Sequence, residues 1–313
     1  MERTLYIVVP CFNEEKVLSI SSRTFGNKLF SLMDAGLISS KSKVLFVDDG
    51  SQDSTWEIIC SLHEENPAFT GIRLSRNQGE QTAVLAGLTI ANEACDLAVT
   101  IDADLQDDIN VIDQMIDAYL QGYDIVYANR QSRATDSFMK RATAIAFYKV
   151  ARWLDTGIEY NNGGYRLLSK RAIRALLQYQ ESGLFLNGLL ARVGFRSTAV
   201  FYDRAKRAAG QTHYSYRKII DFALDGIISF SSKPIHMIGV LSICLLLASV
   251  VLGVFALVRT CLHAALPWMW ILFAICFFGS LQLLAIGIVG EYVAKTLWEA
   301  KKRPLFLIEE NLN

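Results

Sequence analysis

Two long apolar runs near the C-terminus constrain this chain more than any other feature. Residues 235–258 contain no aspartate, glutamate, lysine or arginine, and after a short polar break a second such run covers residues 268–289. Each is roughly 20 residues or longer, enough to cross a hydrocarbon core about 30 Å thick as helix, whereas helices buried in a soluble core are usually shorter or interrupted by charge. The chain is therefore expected to commit these runs to a membrane and to fold what precedes them as a separate domain. Of its 313 residues 52% are hydrophobic, and the excess over an ordinary soluble domain lies in these runs.

Charge orients the spans. Arg217, Lys218 and Lys233 precede the first and Lys295, Lys301, Lys302 and Arg303 follow the second, while the connecting loop offers only Arg259 and His263. The positive-inside rule then predicts a multi-pass protein of the inner (plasma) membrane with both termini cytoplasmic. The N-terminus lacks the basic-then-apolar form of a signal peptide. With 31 basic and 31 acidic residues the net charge is zero, which argues against nucleic acid as a partner. The six cysteines show no metal-ligand or Cys-X-X-Cys spacing and read as small buried hydrophobes rather than a disulfide or zinc framework.

The first 130 or so residues alternate β-rich and amphipathic runs. Strands are expected at 5–9, 44–47, 71–74, 97–101 and 124–127, and helices at 55–65, 81–92 and 111–120. Such alternation predicts a parallel sheet covered by helices on both faces, with ligands bound at the carboxyl ends of the strands. The polar clusters fall where that rule needs them. Pro10-Cys11-Phe12-Asn13-Glu14-Glu15, Asp48-Asp49-Gly50-Ser51, Ser75-Arg76-Asn77-Gln78-Gly79, Asp102-Ala103-Asp104-Leu105-Gln106 and Asn129-Arg130 each follow a strand. From Ser215 the apolar residues Tyr216, Ile219, Ile220, Ala223, Leu224, Ile227 and Ile228 recur at helical spacing opposite Arg217, Lys218, Asp221 and Asp225. This pattern fits a helix lying at the membrane interface, and also an ordinary surface helix of the soluble domain.

Asp102-Ala103-Asp104 is the strongest chemical signal. Carboxylates two apart point to opposite faces of an extended strand, but at a strand end the chain turns and both can converge on one hard cation. Magnesium and manganese need few protein oxygens when a substrate diphosphate completes the shell, and Gln106 could add a carbonyl oxygen. Asp48 is a candidate for recognising a nucleotide base, with Asp53 or Ser54 better suited to capping the following helix.

Taken together, these motifs resemble those of the GT-A family 2 glycosyltransferases. Tyr165-Arg166-Leu167-Leu168-Ser169, Phe222-Ala223-Leu224-Asp225-Gly226-Ile227 and Gly287-Ile288-Val289-Gly290-Glu291-Tyr292 narrow the resemblance to the polyprenyl-phosphate glycosyltransferases, the bactoprenol glucosyltransferase and dolichol-phosphate mannose synthase group. The resemblance covers essentially the whole chain. It implies an α/β fold: a Rossmann-like GT-A nucleotide-diphospho-sugar transferase domain over 1–213, a juxtamembrane helix over 214–233, two transmembrane helices over 234–290 and a cytoplasmic tail over 291–313. It implies that Pro10, Phe12, Glu14 and Asp48 surround base and ribose, that Asp102 and Ala103 meet the donor, and that Asp102, Asp104 and Gln106 hold Mg2+ or Mn2+. Arg130 would contact the phosphates where donor and acceptor meet, and Arg207 would sit on a loop closing over the donor. Two positions depart from the pattern: Gly164 stands where relatives commonly have an aspartate, and His213 where many have a lysine, which could make donor clamping depend on pH.

The implied reaction is inverting transfer of a sugar, from UDP-glucose, UDP-N-acetylglucosamine or less readily GDP-mannose, to polyprenyl phosphate. A phosphate monoester is largely ionised at neutral pH, so the acceptor needs positive charge more than a base. Arg130, Arg133, Lys140 and Arg141 could supply it, although all but Arg130 equally suit a solvated basic helix. A homo-oligomer is compatible with the sequence, and the product would need a separate flippase and a downstream transferase. Two other readings are weaker. A processive polysaccharide synthase would carry Gln-X-X-Arg-Trp, but Arg152-Trp153 is preceded by Lys149. A catalytically inactive nucleotide-sugar-binding scaffold is suggested by Gly164 and His213 but not by the intact Asp-X-Asp.

Overall fold

The computed structural model describes residues 3–130, 162–179, 186–203 and 268–312. Strands and helices alternate from the N-terminus: β1 (Leu5–Cys11), α1 (Glu15–Asp34), β2 (Lys43–Asp48), α2 (Thr55–Glu65), β3 (Phe69–Leu74), α3 (Glu80–Ala94), β4 (Leu97–Thr100), α4 (Val111–Leu120) and β5 (Ile125–Arg130). After these come β6 (Asn162–Ser169), α5 (Lys170–Leu176), α6 (Leu186–Val193), β7 (Ser197–Tyr202), α7 (Trp268–Ala300) and β8 (Ile308–Asn311).

The strands form one eight-stranded sheet in the order β7-β5-β6-β4-β1-β2-β3-β8. Side-chain alternation builds a core on each face. Leu5, Ile7 and Val9 of β1 join Val44 and Phe46 of β2 against Leu18, Phe25 and Leu29 of α1 and Met115 of α4. Tyr6, Val8, Leu45 and Val47 point the other way, against Val84, Leu85 and Leu88 of α3 and Ile173 and Leu176 of α5. A one-residue slip would exchange the two faces, and each buried side chain contributes about 1.5–3 kcal/mol, so register is strongly held.

The four strands β4, β1, β2 and β3 run parallel, as the alternation predicts. The sheet as a whole does not. β6 lies between β4 and β5, antiparallel to both, and β8 closes the far edge antiparallel to β3. β5 regains parallel pairing only with β7. The sheet is therefore mixed, with a Rossmann-like half at its centre.

The juxtamembrane helix expected at 214–233 and the first apolar run at 235–258 lie outside the described residues. The second run opens α7, which continues past residue 290 to Ala300. Ile271, Ile275, Ile286, Val289, Val293 and Leu297 are exposed along it. Among the described residues no helix is long and apolar enough to cross a membrane, and several side chains of α7 are themselves outside those described. The chain then returns to the sheet, where Leu312 N–H donates to the Gly71 carbonyl at 2.9 Å.

Candidate active site

The loops that leave β1, β2 and β3 are braced against one another. Asn13, at φ 55°, donates its backbone N–H to Ser51 Oγ at 3.0 Å, and its Oδ1 accepts from Gln52 N at 2.9 Å. Glu14 N–H donates to Thr55 Oγ1 at 2.9 Å and Glu15 N–H to Asp53 Oδ2 at 3.2 Å. Asp53 also accepts from Thr55 N at 3.1 Å, so it tethers the start of α2 as expected of a helix-start carboxylate. Asp49 spans the gap to the third loop: its two oxygens accept the backbone N–H groups of Gln78 and Gly79, each at 2.8 Å. Polar residues 29 and 30 positions apart in sequence thus hold one rim.

Asp48 is fully buried beneath this rim. Its Oδ1 accepts from Ser51 N at 3.0 Å and its Oδ2 lies 3.4 Å from Arg73 Nε. Burial raises the pKa of Asp48 against the opposing pull of Ser51 and Arg73, and raises that of Asp49 against the Gln78 and Gly79 N–H groups. The folded state therefore holds these protons more tightly than the unfolded chain does. Their contribution to stability is fully present below the ordinary carboxylate pKa of 3.8 and is lost as pH rises through the raised folded values.

Among these loops opens a cavity of about 300 Å³ whose lining includes Phe12, Ser51, Arg73, Arg76 and Glu309. Phe12, Pro10 and Glu14 are half-buried around the same loops. Glu309 belongs to β8, so the returning C-terminal strand supplies part of the wall. Its sequence, Ile-Glu-Glu-Asn, carries no signal that would have revealed this.

Asp102 and Asp104 sit just beyond β4. Asp102 is half-buried and Asp104 is 5% exposed, with Oδ1 accepting from Gln106 N at 3.0 Å across Leu105 at φ 55°. Ala103 between them is buried, and β4 is tied to β6 by Thr100 Oγ1 donating to the Gly164 carbonyl at 2.5 Å. Among the described residues no three His, Cys, Asp or Glu side chains gather as a metal cage. Magnesium needs few protein oxygens when diphosphate and water complete its shell, so a pair of carboxylates at such a turn fits its chemistry.

Arg130 ends β5. Burial works against its charge, but the hydrogen bond it donates to the Tyr202 hydroxyl oxygen and the negative charges of Asp107 and Asp102 outweigh that and hold its pKa above the ordinary arginine value. Tyr202 O–H donates to Asp107 Oδ1 at 2.5 Å, and its ring meets Tyr165 edge-on at 5.7 Å. Tyr165 O–H in turn donates to the Asp108 carbonyl at 3.1 Å. Two tyrosines from β6 and β7 thereby tie down the stretch that follows the Asp-X-Asp motif, and Tyr202 also accepts from Arg130. Neither role carries a local sequence signal, because the contacts depend on strands far apart in sequence. Replacing Tyr202 by Phe removes a hydrogen bond to a buried carboxylate and is expected to cost about 1.5–3 kcal/mol. Thermal and urea unfolding should register that loss, along with reduced turnover. Arg133, Lys140, Arg141, Arg207 and His213 lie outside the described residues.

A Rossmann-like sheet with braced loops, a cavity and an Asp-X-Asp turn at its carboxyl edge is the architecture of a nucleotide-sugar transferase. The chain belongs to glycosyl transferase family 2, whose pattern matches residues 6–177. It is 43% identical over 309 residues to the uncharacterized glycosyltransferase YkoT of Bacillus subtilis (strain 168), covering 98% of this chain and 92% of that one. It is 35% identical over 306 residues to the prophage bactoprenol glucosyl transferase homolog of Escherichia coli (strain K12), with 97% of each chain covered. Among solved structures, glucosyl-3-phosphoglycerate synthase from Mycobacterium tuberculosis in complex with phosphoglyceric acid is similar with a TM-score of 0.48 and 17% identity, over 73% of this chain and 79% of that one.

Proposed function

We propose that this chain transfers a sugar, with inversion, from a uridine diphosphate donor carrying glucose or N-acetylglucosamine to polyprenyl phosphate at the cytoplasmic face of the inner membrane. One observation carries the reading. The family 2 pattern ends at residue 177, yet similarity to the bactoprenol glucosyl transferase homolog extends over 97% of both chains and so through the apolar C-terminal third. A shared membrane region is of most use to an enzyme whose acceptor resides in the bilayer. The charge-free runs at 235–258 and 268–289 and the exposed apolar side chains of α7 support the same placement.

In this reading a lipid phosphate oxygen attacks the anomeric carbon, forming the new bond as the carbon–oxygen bond to the nucleoside diphosphate breaks. The phosphate monoester is already largely ionised at neutral pH, so no side chain has to take a proton, and Gly164 is compatible with turnover. Asp102 and Asp104, with Gln106 beside them, would hold magnesium or manganese, which when bound offsets charge on the departing diphosphate. Arg130, kept charged and oriented by Tyr202, would steady the phosphates where donor and acceptor meet. Phe12 and the cavity walled by Arg73, Arg76 and Glu309 would take the nucleotide end of the donor.

The test is incubation of the purified full chain with magnesium, polyprenyl phosphate and a panel of UDP-glucose, UDP-N-acetylglucosamine and GDP-mannose. A lipid-linked sugar from a uridine donor is expected. No lipid-linked product with any donor would overturn the reading.

A further inference from the structure

Gly164 of β6 faces the start of α3 across the site. A Cβ built on it would lie 3.4 Å from Glu80 Oε1 and 3.7 Å from Asp102 Oδ1. A methyl group would just touch both carboxylates, and any longer side chain would enter the space the Glu80 carboxylate holds. Glu80 is the first residue of α3, where the helix N-terminus favours negative charge; the residue is solvent-exposed, and Oε1 lies on the Gly164 side.

Two residues along β6, Arg166 is 5% exposed. Burial pushes the pKa of its guanidinium down, while Tyr127, Glu80 and Asp102 pull it back up. Its Nε also donates to the Gly164 carbonyl at 3.2 Å. A guanidinium taken out of water is costly unless opposite charge and hydrogen bonds accompany it. Here Asp102 contributes part of that charge, and Asp102 is also half of the Asp-X-Asp pair. Whatever shares Arg166 with Asp102 therefore influences how Asp102 is presented to the donor.

We propose that Glu80 is a positioning residue of the transfer site: its carboxylate occupies the space that a side chain at residue 164 would fill and, beside Asp102, brings negative charge to the stretch of β6 on which the Arg166 guanidinium rests. This role rests on the glycosyl-transfer reading above, and it makes a relocation experiment informative. An aspartate at residue 164 would project its carboxylate into the volume that Glu80 now fills.

Glu80→Ala and Glu80→Gln should each lower kcat by roughly 10–100-fold, the usual effect of removing a carboxylate that orients a reacting group, with donor KM little changed. Gly164→Asp alone should also lower kcat, because two carboxylates would compete for one space. The double variant Glu80→Ala/Gly164→Asp should recover most of the lost turnover, an outcome a purely structural role for Glu80 would not produce. Wild-type kcat in Glu80→Gln, or a folded double variant no faster than Glu80→Ala, would overturn the proposal. A thermal-stability cycle combining Glu80→Gln with Arg166→Lys needs no substrate: non-additive melting shifts are expected, and additive shifts would refute the pairing. An inactive wild-type chain would count against the transfer reading, and the cycle would still decide the pairing of Glu80 with Arg166.

Discussion

Replacing Asp104 by Asn is expected to abolish sugar transfer while leaving the fold intact. The side chain is 5% exposed and Oδ1 accepts the Gln106 N–H at 3.0 Å, a contact the asparagine carbonyl can keep. What is lost is the negative charge. With only Asp102 remaining, a cation would be held by one carboxylate, and stabilisation of the departing diphosphate would fail. Loss of a single preorganised electrostatic group at a reacting centre costs roughly 10²–10³ in kcat, and weakened metal binding adds to that. The variant should melt within a few degrees of the wild type and show no glycolipid above background. Unchanged turnover would remove Asp104 from the metal site. In the wild type, chelation of divalent ions should have the same effect, reversed by adding magnesium or manganese.

Gly50→Ala is expected to be the most damaging change that touches no charged group. Gly50 has φ 67°, and a Cβ there would lie 2.6 Å from the Arg76 carbonyl carbon and 2.7 Å from Asn77 N. Both atoms are backbone, so relief requires moving the 75–79 loop, whose position Asp49 fixes through Gln78 and Gly79. The left-handed backbone costs an alanine about 1–2 kcal/mol. The overlap adds roughly 1–3 kcal/mol. Thermal unfolding in detergent should reveal a large loss, and donor KM should rise because Gly50, Ser51, Arg76 and Asn77 all line the cavity. Gly79→Ala is the natural comparison. Gly79 also has a positive φ, 92°, but nothing lies within 4 Å of its added Cβ, so only the backbone cost applies. Equal damage in the two variants would show that the close approach at Gly50 is unimportant.

Much of this was legible in the sequence for a physical reason. The strands β1 to β5 and the helices α2, α3 and α4 carry their own periodicity, and the polar clusters fall at the carboxyl ends of the strands because a buried sheet leaves them nowhere else to go. The placement of Asp102, Asp104 and Arg130 at strand ends was legible for the same reason. β6 was not. Asn-Gly-Gly-Tyr-Arg-Leu-Leu-Ser opens with residues that disfavour strands and contains an arginine, whose buried charge is favoured by Tyr127, Glu80 and Asp102 from other elements. Its antiparallel insertion between β4 and β5 is a tertiary choice that no local pattern announces. β8 is hidden more deeply still, a short polar edge strand whose pairing with β3 depends on a chain returning from far away.

The site residues divide along the same line. Asp48, legible from its place at the end of a strand, lies fully buried, bonded to Ser51 and beside Arg73, and Arg73, Arg76 and Glu309, which carry no such local signal, line the cavity. Asp49, next to it, ties the second loop to the third, a role set by partners distant in sequence. Tyr202 and Glu80 act through contacts between elements far apart in the chain, which composition and spacing do not encode.

The sugar is expected to end on a lipid phosphate. The most direct measurement follows a radiolabelled sugar from its uridine diphosphate donor during incubation of the full chain in vesicles, with polyprenyl phosphate, with unphosphorylated polyprenol, or with neither. Label entering the organic phase only with polyprenyl phosphate, and there as a glycosyl phosphodiester of inverted anomeric configuration, is the predicted result. Label that remains aqueous in all three, or that enters the lipid phase equally well with unphosphorylated polyprenol, would contradict it.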